Sequence, residues 1–198
     1  ISNRFAVFPS LTTAWLISSE AFMQNVEAIN LARLRLGITM AGNGDIGNFA
    51  SSKYYVAQNL MGAYGMVSGN LYNPDLQWES NDLLNLGIDL GLFNNRISIA
   101  ANLFRKQTRN LLTVVHADYY VGYDTYLTNF GNISTSGFDL NLDARIINRR
   151  IKWDAGINLQ KYSTTVNEYF GDQEIMDVYA GQVLIREGEP LGEFYGYK

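Results

Sequence analysis

The stretch Leu84-Asn85-Leu86-Gly87-Ile88-Asp89-Leu90-Gly91-Leu92 decides the fold. Its leucines and isoleucine occupy every second position, opposite Asn85, Gly87, Asp89 and Gly91, so an extended chain here carries one apolar and one polar face. Phe93-Asn94-Asn95 follows, a short connection rich in residues that tolerate tight turns. The chain then reverses through Ile97, Ile99, Ala101 and Leu103, which alternate with Ser98, Ala100, Asn102 and Phe104. Residues 84–104 therefore predict a β-hairpin with an apolar and a polar face.

The same design recurs along the chain. Phe138, Leu140, Leu142, Ala144 and Ile146 stand opposite Asp139, Asn141, Asp143 and Arg145, and Asn148 to Arg150 turns the chain. The return arm sets Trp153, Ala155, Ile157 and Leu159 against Asp154, Gly156, Asn158 and Gln160. Leu34, Leu36, Ile38 and Met40 alternate with Arg33, Arg35, Gly37 and Thr39, and a further strand is predicted over Phe8 to Ser18, with Pro9 near its start. Glu20 to Asn30 predicts one short helix, because Phe22, Val26 and Ile29 have helical spacing. The result is an all-β chain of about six long antiparallel, up-and-down strands.

The connections are unequal. Those near residues 94 and 149 are two or three residues long and Glu20 to Asn30 is compact, whereas Gly42 to Gln77, Arg109 to Thr135 and Thr164 to Lys198 are long. Up-and-down strands put the short turns at one end and the long loops at the other, which is the anatomy of part of a large outer-membrane barrel. A soluble β-sandwich alternates equally well and stays open as the alternative, a self-contained module that binds glycans through loop tyrosines.

Composition narrows the function classes. Among 198 residues, 15 Lys and Arg face 19 Asp and Glu, a net charge of −4 that lacks the basic field of a nucleic-acid binder. Charged residues reach only 17%, against roughly 25% in ordinary soluble domains. Cysteine is absent, which removes disulfides, thiolate metal sites and a cysteine nucleophile. No apolar run approaches a membrane-spanning helix, but the mean hydropathy of −0.10 suits alternating barrel strands.

Several strings together resemble the barrel of SusC/RagA-type TonB-dependent outer-membrane transporters. They are Arg4-Phe5-Ala6-Val7-Phe8-Pro9-Ser10 with Ala14-Trp15 and Glu20-Ala21-Phe22-Met23, then Leu34-Arg35-Leu36-Gly37 leading to Gly42-Asn43-Gly44-Asp45-Ile46-Gly47. Asn73-Pro74-Asp75-Leu76-Gln77-Trp78-Glu79, Gly87 to Arg96, Gly131-Asn132-Ile133 and Gly137-Phe138-Asp139-Leu140 agree as well. Gly188-Glu189-Pro190-Leu191-Gly192 before Phe194-Tyr195-Gly196-Tyr197 completes the set, which spans essentially the whole chain. The resemblance implies that residues 1–198 are a partial transmembrane β-barrel lacking the plug and TonB-box region. It implies a bacterial outer-membrane location, import of an oligosaccharide or oligopeptide, a SusD-like surface lipoprotein and the TonB complex as partners, no cofactor and no enzymatic activity. His116 to Phe130 aligns with no family motif.

Candidate residues follow from parity and chemistry. Arg33, Arg35, Asp89, Asp139 and Asp143 fall on the polar face and are expected to face the lumen. That parity predicts a cost of about 2 to 4 kcal/mol for Ile88→Arg at the bilayer midplane, with Asp89→Asn nearly neutral. Asp139 and Asp143 lie about 13 Å apart along a strand, too far for paired glycosidase carboxylates. The G-x-G-x-x-G at Gly42 to Gly47 lacks the amphipathic helix and following acid that a dinucleotide site requires and is read as a loop. His116, the one histidine, excludes a multi-histidine metal site and comes with no G-x-S-x-G elbow. Tyr119, Tyr120, Tyr123, Tyr126 and Phe130 have two readings, contact with a ligand or lid and membrane-girdle or loop packing. Trp15, Trp78 and Trp153 are read as girdle or packing residues, and Arg149 and Arg150 as a solvated turn.

Overall fold

The structure is a computed structural model that describes residues 5–46, 50–123, 125–169, 175–178 and 181–195. Arg4, Gly47, Gly196 and Tyr197 of the quoted strings lie outside the described residues. In chain order the strands are β1 (Ser10–Leu16), β2 (Ile29–Asn43), β3 (Tyr55–Leu60), β4 (Ala63–Ser68), β5 (Glu79–Leu92), β6 (Ile97–Arg109) and β7 (Leu112–His116). There follow β8 (Thr125–Asn129), β9 (Asn132–Asn148), β10 (Lys152–Glu168), β11 (Ile175–Val178), β12 (Gly181–Leu184) and β13 (Glu193–Tyr195).

One six-stranded sheet of order β1-β2-β5-β6-β9-β10 dominates, antiparallel at every pairing. The hairpins β3–β4 and β7–β8 grow out of the two long connections, so the large sheet is an up-and-down meander with its short turns at one end. The six expected strands are all present, and most are longer than their apolar alternation. β5 begins at Glu79, β6 continues to Arg109, and β9 and β10 each have 17 residues. The loop-side extensions carry Ser, Thr, Asn and Gln on both faces, so nothing in their hydropathy marks them as strand. β1 is shorter than expected, ending at Leu16.

The expected helix over Glu20 to Asn30 does not form. Two 3₁₀ turns, Ile17–Ser19 and Ala21–Met23, make the compact connection, and Ile29 and Asn30 open β2. Three apolar residues at helical spacing cannot repay helix nucleation in so short a segment. Trp15 Nε1 donates instead to Glu20 Oε1 at 2.8 Å, anchoring the connection.

Register sorts the side chains into rows. One apolar row runs Trp15, Leu34, Ile88, Ala101, Leu140 and Leu159, and the next runs Thr13, Leu36, Leu86, Leu103, Phe138 and Lys161. No second sheet covers these rows among the described residues: Leu36 is 41% exposed, Leu86 42%, Leu103 58% and Phe138 41%. Among the described residues only Ala32, Leu76 and Val166 are buried apolar side chains, while Asp89 and Thr108 are buried polar ones. A sandwich requires the reverse, with apolar rows packed against a partner sheet.

The turn between β5 and β6 is left-handed through Phe93, Asn94 and Asn95, with φ of 54°, 58° and 55°. Asparagine adopts that region far more readily than phenylalanine does. Asn30, on the neighbouring strand, holds the turn. Its Oδ1 accepts from the backbone N–H of Asn94 at 2.5 Å and of Asn95 at 3.3 Å, while its Nδ2 donates to Asn94 Oδ1 at 3.3 Å.

Candidate functional site

On the polar face, the row Ala14, Arg35, Gly87, Asn102, Asp139 and Gln160 crosses all six strands, and Arg33 pairs with Asp89 in the row beside it. Arg35 grips Asp89 with two hydrogen bonds, Nε to Oδ2 and Nη2 to Oδ1, each 2.9 Å. Arg33 Nε donates to the same Oδ2 at 2.8 Å. Arg35 Nη2 also donates to Asn102 Oδ1 at 2.8 Å, and Asn102 Nδ2 passes the chain on to Asp139 Oδ1 at 2.7 Å. Four adjacent strands, β2, β5, β6 and β9, are thereby tied by one string of side chains with two cations and two carboxylates.

Gly87 makes the string possible. It stands directly between Arg35 and Asn102 in the row, and a Cβ there would lie 2.6 Å from Asn102 Oδ1 and 2.8 Å from Arg35 Nη2. Without a side chain at 87, the guanidinium crosses β5 and reaches β6. The structure thus joins four of the expected polar-face residues, Arg33, Arg35, Asp89 and Asp139. Asp143 stays outside the string; its Oδ1 lies 2.7 Å from where a Cβ of Gly156 would be. Asn102 and Gly87 were legible as polar-face positions but not as site residues, because their role depends on register with β2.

Asp89 is the hub of this string and is buried, so its substitution by Asn is not the near-neutral change that parity suggests. Loss of the charge leaves two guanidinium groups facing a neutral amide. Chemically the string is a cross-tie rather than a reaction centre. Its carboxylates take up the guanidinium and amide donors, and no hydroxyl or imidazole joins it.

The aromatic cluster is divided in space. Tyr119 and Tyr120 sit on a 3₁₀ turn at the tip of the β7–β8 hairpin, 100% and 86% exposed. Tyr120 Oη donates to Asp118 Oδ2 at 2.8 Å, and that carboxylate pushes the phenol above its usual range. Tyr123 is half-buried and donates from Oη to the Ser68 carbonyl at 2.9 Å, fastening β7–β8 to the end of β4. Tyr126 lies within β8, and Phe130 meets Tyr169 edge to face at 6.2 Å. Tyr119 and Tyr120 present free ring faces, whereas Tyr123 and Phe130 are packing residues.

The two loop hairpins interlock further. Asn73 Nδ2 donates to the Leu127 carbonyl and to Thr128 Oγ1, both at 3.3 Å, and Gln77 and Asn129 exchange backbone-to-side-chain hydrogen bonds of 2.7 and 3.0 Å. Lys53 Nζ stands 5.1 Å from the centre of the Tyr55 ring. Gly42 and Gly44 of the G-x-G-x-x-G string serve packing. Where Gly42 and Gly44 lack a Cβ, the rings of Phe8 and Trp78 fill the space, edge to face with each other at 6.1 Å. His116 is exposed at the end of β7, across from Thr125.

The chain is similar to known proteins over most of its length. Residues 3–191 match the family described as TonB dependent receptor-like, beta-barrel. The chain belongs to this family of outer-membrane barrels. It is similar to TonB-dependent receptor P39 of Formosa agariphila, 35% identical over 96% of this chain and 18% of that protein. TonB-dependent receptor SusC of Bacteroides thetaiotaomicron is 28% identical over 93% of the chain and 19% of its own length. Among solved structures, the RagAB peptide importer in its closed-closed state superposes with a TM-score of 0.83 at 25% identity, covering 94% of this chain and 21% of that one. The SusC/RagA resemblance therefore holds in sequence and in fold. The chain spans about a fifth of the length of the curated relatives it matches.

Proposed function

We propose that residues 1–198 form a stretch of barrel wall in a SusC-like TonB-dependent transporter of the bacterial outer membrane. The carrying observation is the division of faces in a single-layer meander. The apolar rows lie open on one side, while the polar side ties Arg33, Arg35, Asp89, Asn102 and Asp139 together. Lipid covers the first face, and the second lines the lumen together with Asp143. A wall of this kind needs no second sheet, because the bilayer supplies the apolar contact.

In this reading the plug and TonB box belong to other parts of the same polypeptide, and the TonB complex supplies energy through them. A SusD-like lipoprotein closes the loop end. The cargo is an oligosaccharide or oligopeptide, and Tyr119 and Tyr120 offer their rings to that cargo or to the lipoprotein. The wall contributes no catalysis. An antibody raised against the Asp118 to Phe130 loop tests this on fractionated cells. A band several times larger than 22.3 kDa, released from outer membrane only by detergent, is the expected result. A detergent-free soluble band near 22.3 kDa would refute it.

A further inference from the structure

We propose that Arg105 and Lys161, with Ser136 and Ser163 beside them, bind the phosphate of an outer-leaflet lipid on the outside of the wall. The inference rests on the barrel-wall reading above. Both cations share the parity of the apolar face: Arg105 pairs with Leu84 and with Ser136, Lys161 pairs with Phe138, and Ser136 pairs with Ser163. Toward the loops, the apolar side chains of this face stop within three neighbouring rows on β5, β6, β9 and β10. Leu84 gives way to Asp82, Leu103 to Arg105, Phe138 to Ser136 and Leu159 to Lys161. Arg105 and Lys161 are therefore the first positions past the apolar run on β6 and on β10. A charge on a lipid-facing strand is tolerated at that height and costly below it.

Neither cation has an acidic partner among the described residues, and both are exposed. Asp82, the nearby acid on the same face, is already held by Arg109. Lys106 points to the opposite face. Arg105 and Lys161 stand two strands apart, about 10 Å laterally, and one row apart, and Ser136 and Ser163 in Arg105's row are short enough to leave the space above Lys161 open. Two long cationic side chains can converge there on one tetrahedral anion, with serine hydroxyls as further donors. Leu103 and Phe138 lie one row below Arg105 and level with Lys161, where acyl chains would begin. The long loops identify this end as external, so the anion is the phosphate of a glucosamine-based outer-leaflet lipid.

The test uses the intact receptor purified from outer membranes and stripped of lipid in detergent, with lipid A affinity measured by native mass spectrometry. Each cation near a charged headgroup surface is worth about fivefold. Arg105→Gln with Lys161→Gln should weaken lipid A binding on the order of twenty-fivefold, and dephosphorylated lipid A should bind the wild type as weakly. Arg105→Lys with Lys161→Arg should retain affinity. If the double glutamine variant misfolds, Lys161→Gln alone should still lose about fivefold. Unchanged affinity in the glutamine variants, or equal binding of the dephosphorylated lipid, overturns the site while the protein remains an outer-membrane barrel. A receptor found in the soluble fraction refutes the wall reading and removes the site with it.

Discussion

Ile88 and Asp89 are adjacent in sequence and on opposite faces of β5, so substitutions there separate the two environments within one strand. Ile88 is the middle of five apolar residues, Leu84 to Leu92, and its row neighbours Leu34 and Ala101 are apolar too. Under the proposed wall it lies near the bilayer midplane, where arginine costs about 2 to 4 kcal/mol. Leu84, at the border of the band, should tolerate arginine at about 0 to 1 kcal/mol. Asp89→Asn acts on the other face. It removes the charge that receives three hydrogen bonds from Arg33 and Arg35. A fully buried pair broken this way costs about 3 to 5 kcal/mol. Both arginines are partly exposed, with side-chain accessibilities of 46% and 32%, and can recover water. About 1 to 3 kcal/mol is therefore expected. The assay is reversible urea unfolding of the intact receptor in lipid vesicles, followed by tryptophan fluorescence. Equal cost of arginine at positions 84 and 88 would refute the depth assignment, and an Asp89→Asn variant as stable as wild type would refute the hub.

Gly87→Ala should cost about 1 to 3 kcal/mol by displacing the Arg35 guanidinium from Asn102; in an Arg35→Met background the cost should shrink, and a double-mutant cycle by urea unfolding reads the difference. Asn30→Ala removes the acceptor that holds the left-handed turn, so about 1 to 2 kcal/mol of stability should be lost. Asn30→Ala with Phe93→Gly should recover part of that loss in the same assay. The Tyr120 phenol is raised by its hydrogen bond to Asp118 and by that carboxylate's charge. The bond is therefore fully present below the ordinary phenol value of 10.0 and is lost as pH climbs through the higher folded value. Ring-selective NMR titration should find Tyr120 ionising above the ordinary phenol range in the wild type and at lower pH in Asp118→Asn.

The strands were legible because one face is uniformly apolar across their middle. Leu84 to Leu92 and Phe138 to Ile146 could hardly be read otherwise. Their loop-side ends were hidden because Ser134-Thr135-Ser136 is polar on both parities, and only pairing with β6 and β10 holds it extended. The hairpin β3–β4 left a fainter mark. Met61 and Gly62 adopt positive φ in its turn, and Asn59 Oδ1 accepts from the Gly62 N–H at 2.8 Å. Parity found the polar-face residues, but pairing partners come from register, which no single strand encodes. Arg35 meets Asp89 and Asn102 across 54 and 67 residues of sequence. The tyrosines erred in the other direction: Tyr119 and Tyr123 stand close together in sequence, yet one is free and the other is fastened to Ser68.

The charged string also explains how a single-layer sheet keeps its register. Hydrogen bonds of an antiparallel ladder can re-form after a slip, and apolar side chains against fluid lipid impose little shape selection. A slip of β5 by one residue against β2 would carry Asp89 to the apolar face and bring Ile88 toward Arg33 and Arg35. That arrangement strands a carboxylate in hydrocarbon and leaves two guanidiniums unpaired, each of which is costly. A slip by two residues keeps parity but moves Gly87 out from beneath Arg35, so the guanidinium no longer has room to cross to Asn102. The native pairing is the arrangement that satisfies Arg33, Arg35, Asp89, Asn102 and Asp139 together. Whatever net stability the ion pairs contribute, they discriminate between registers that the apolar face alone would leave close in energy.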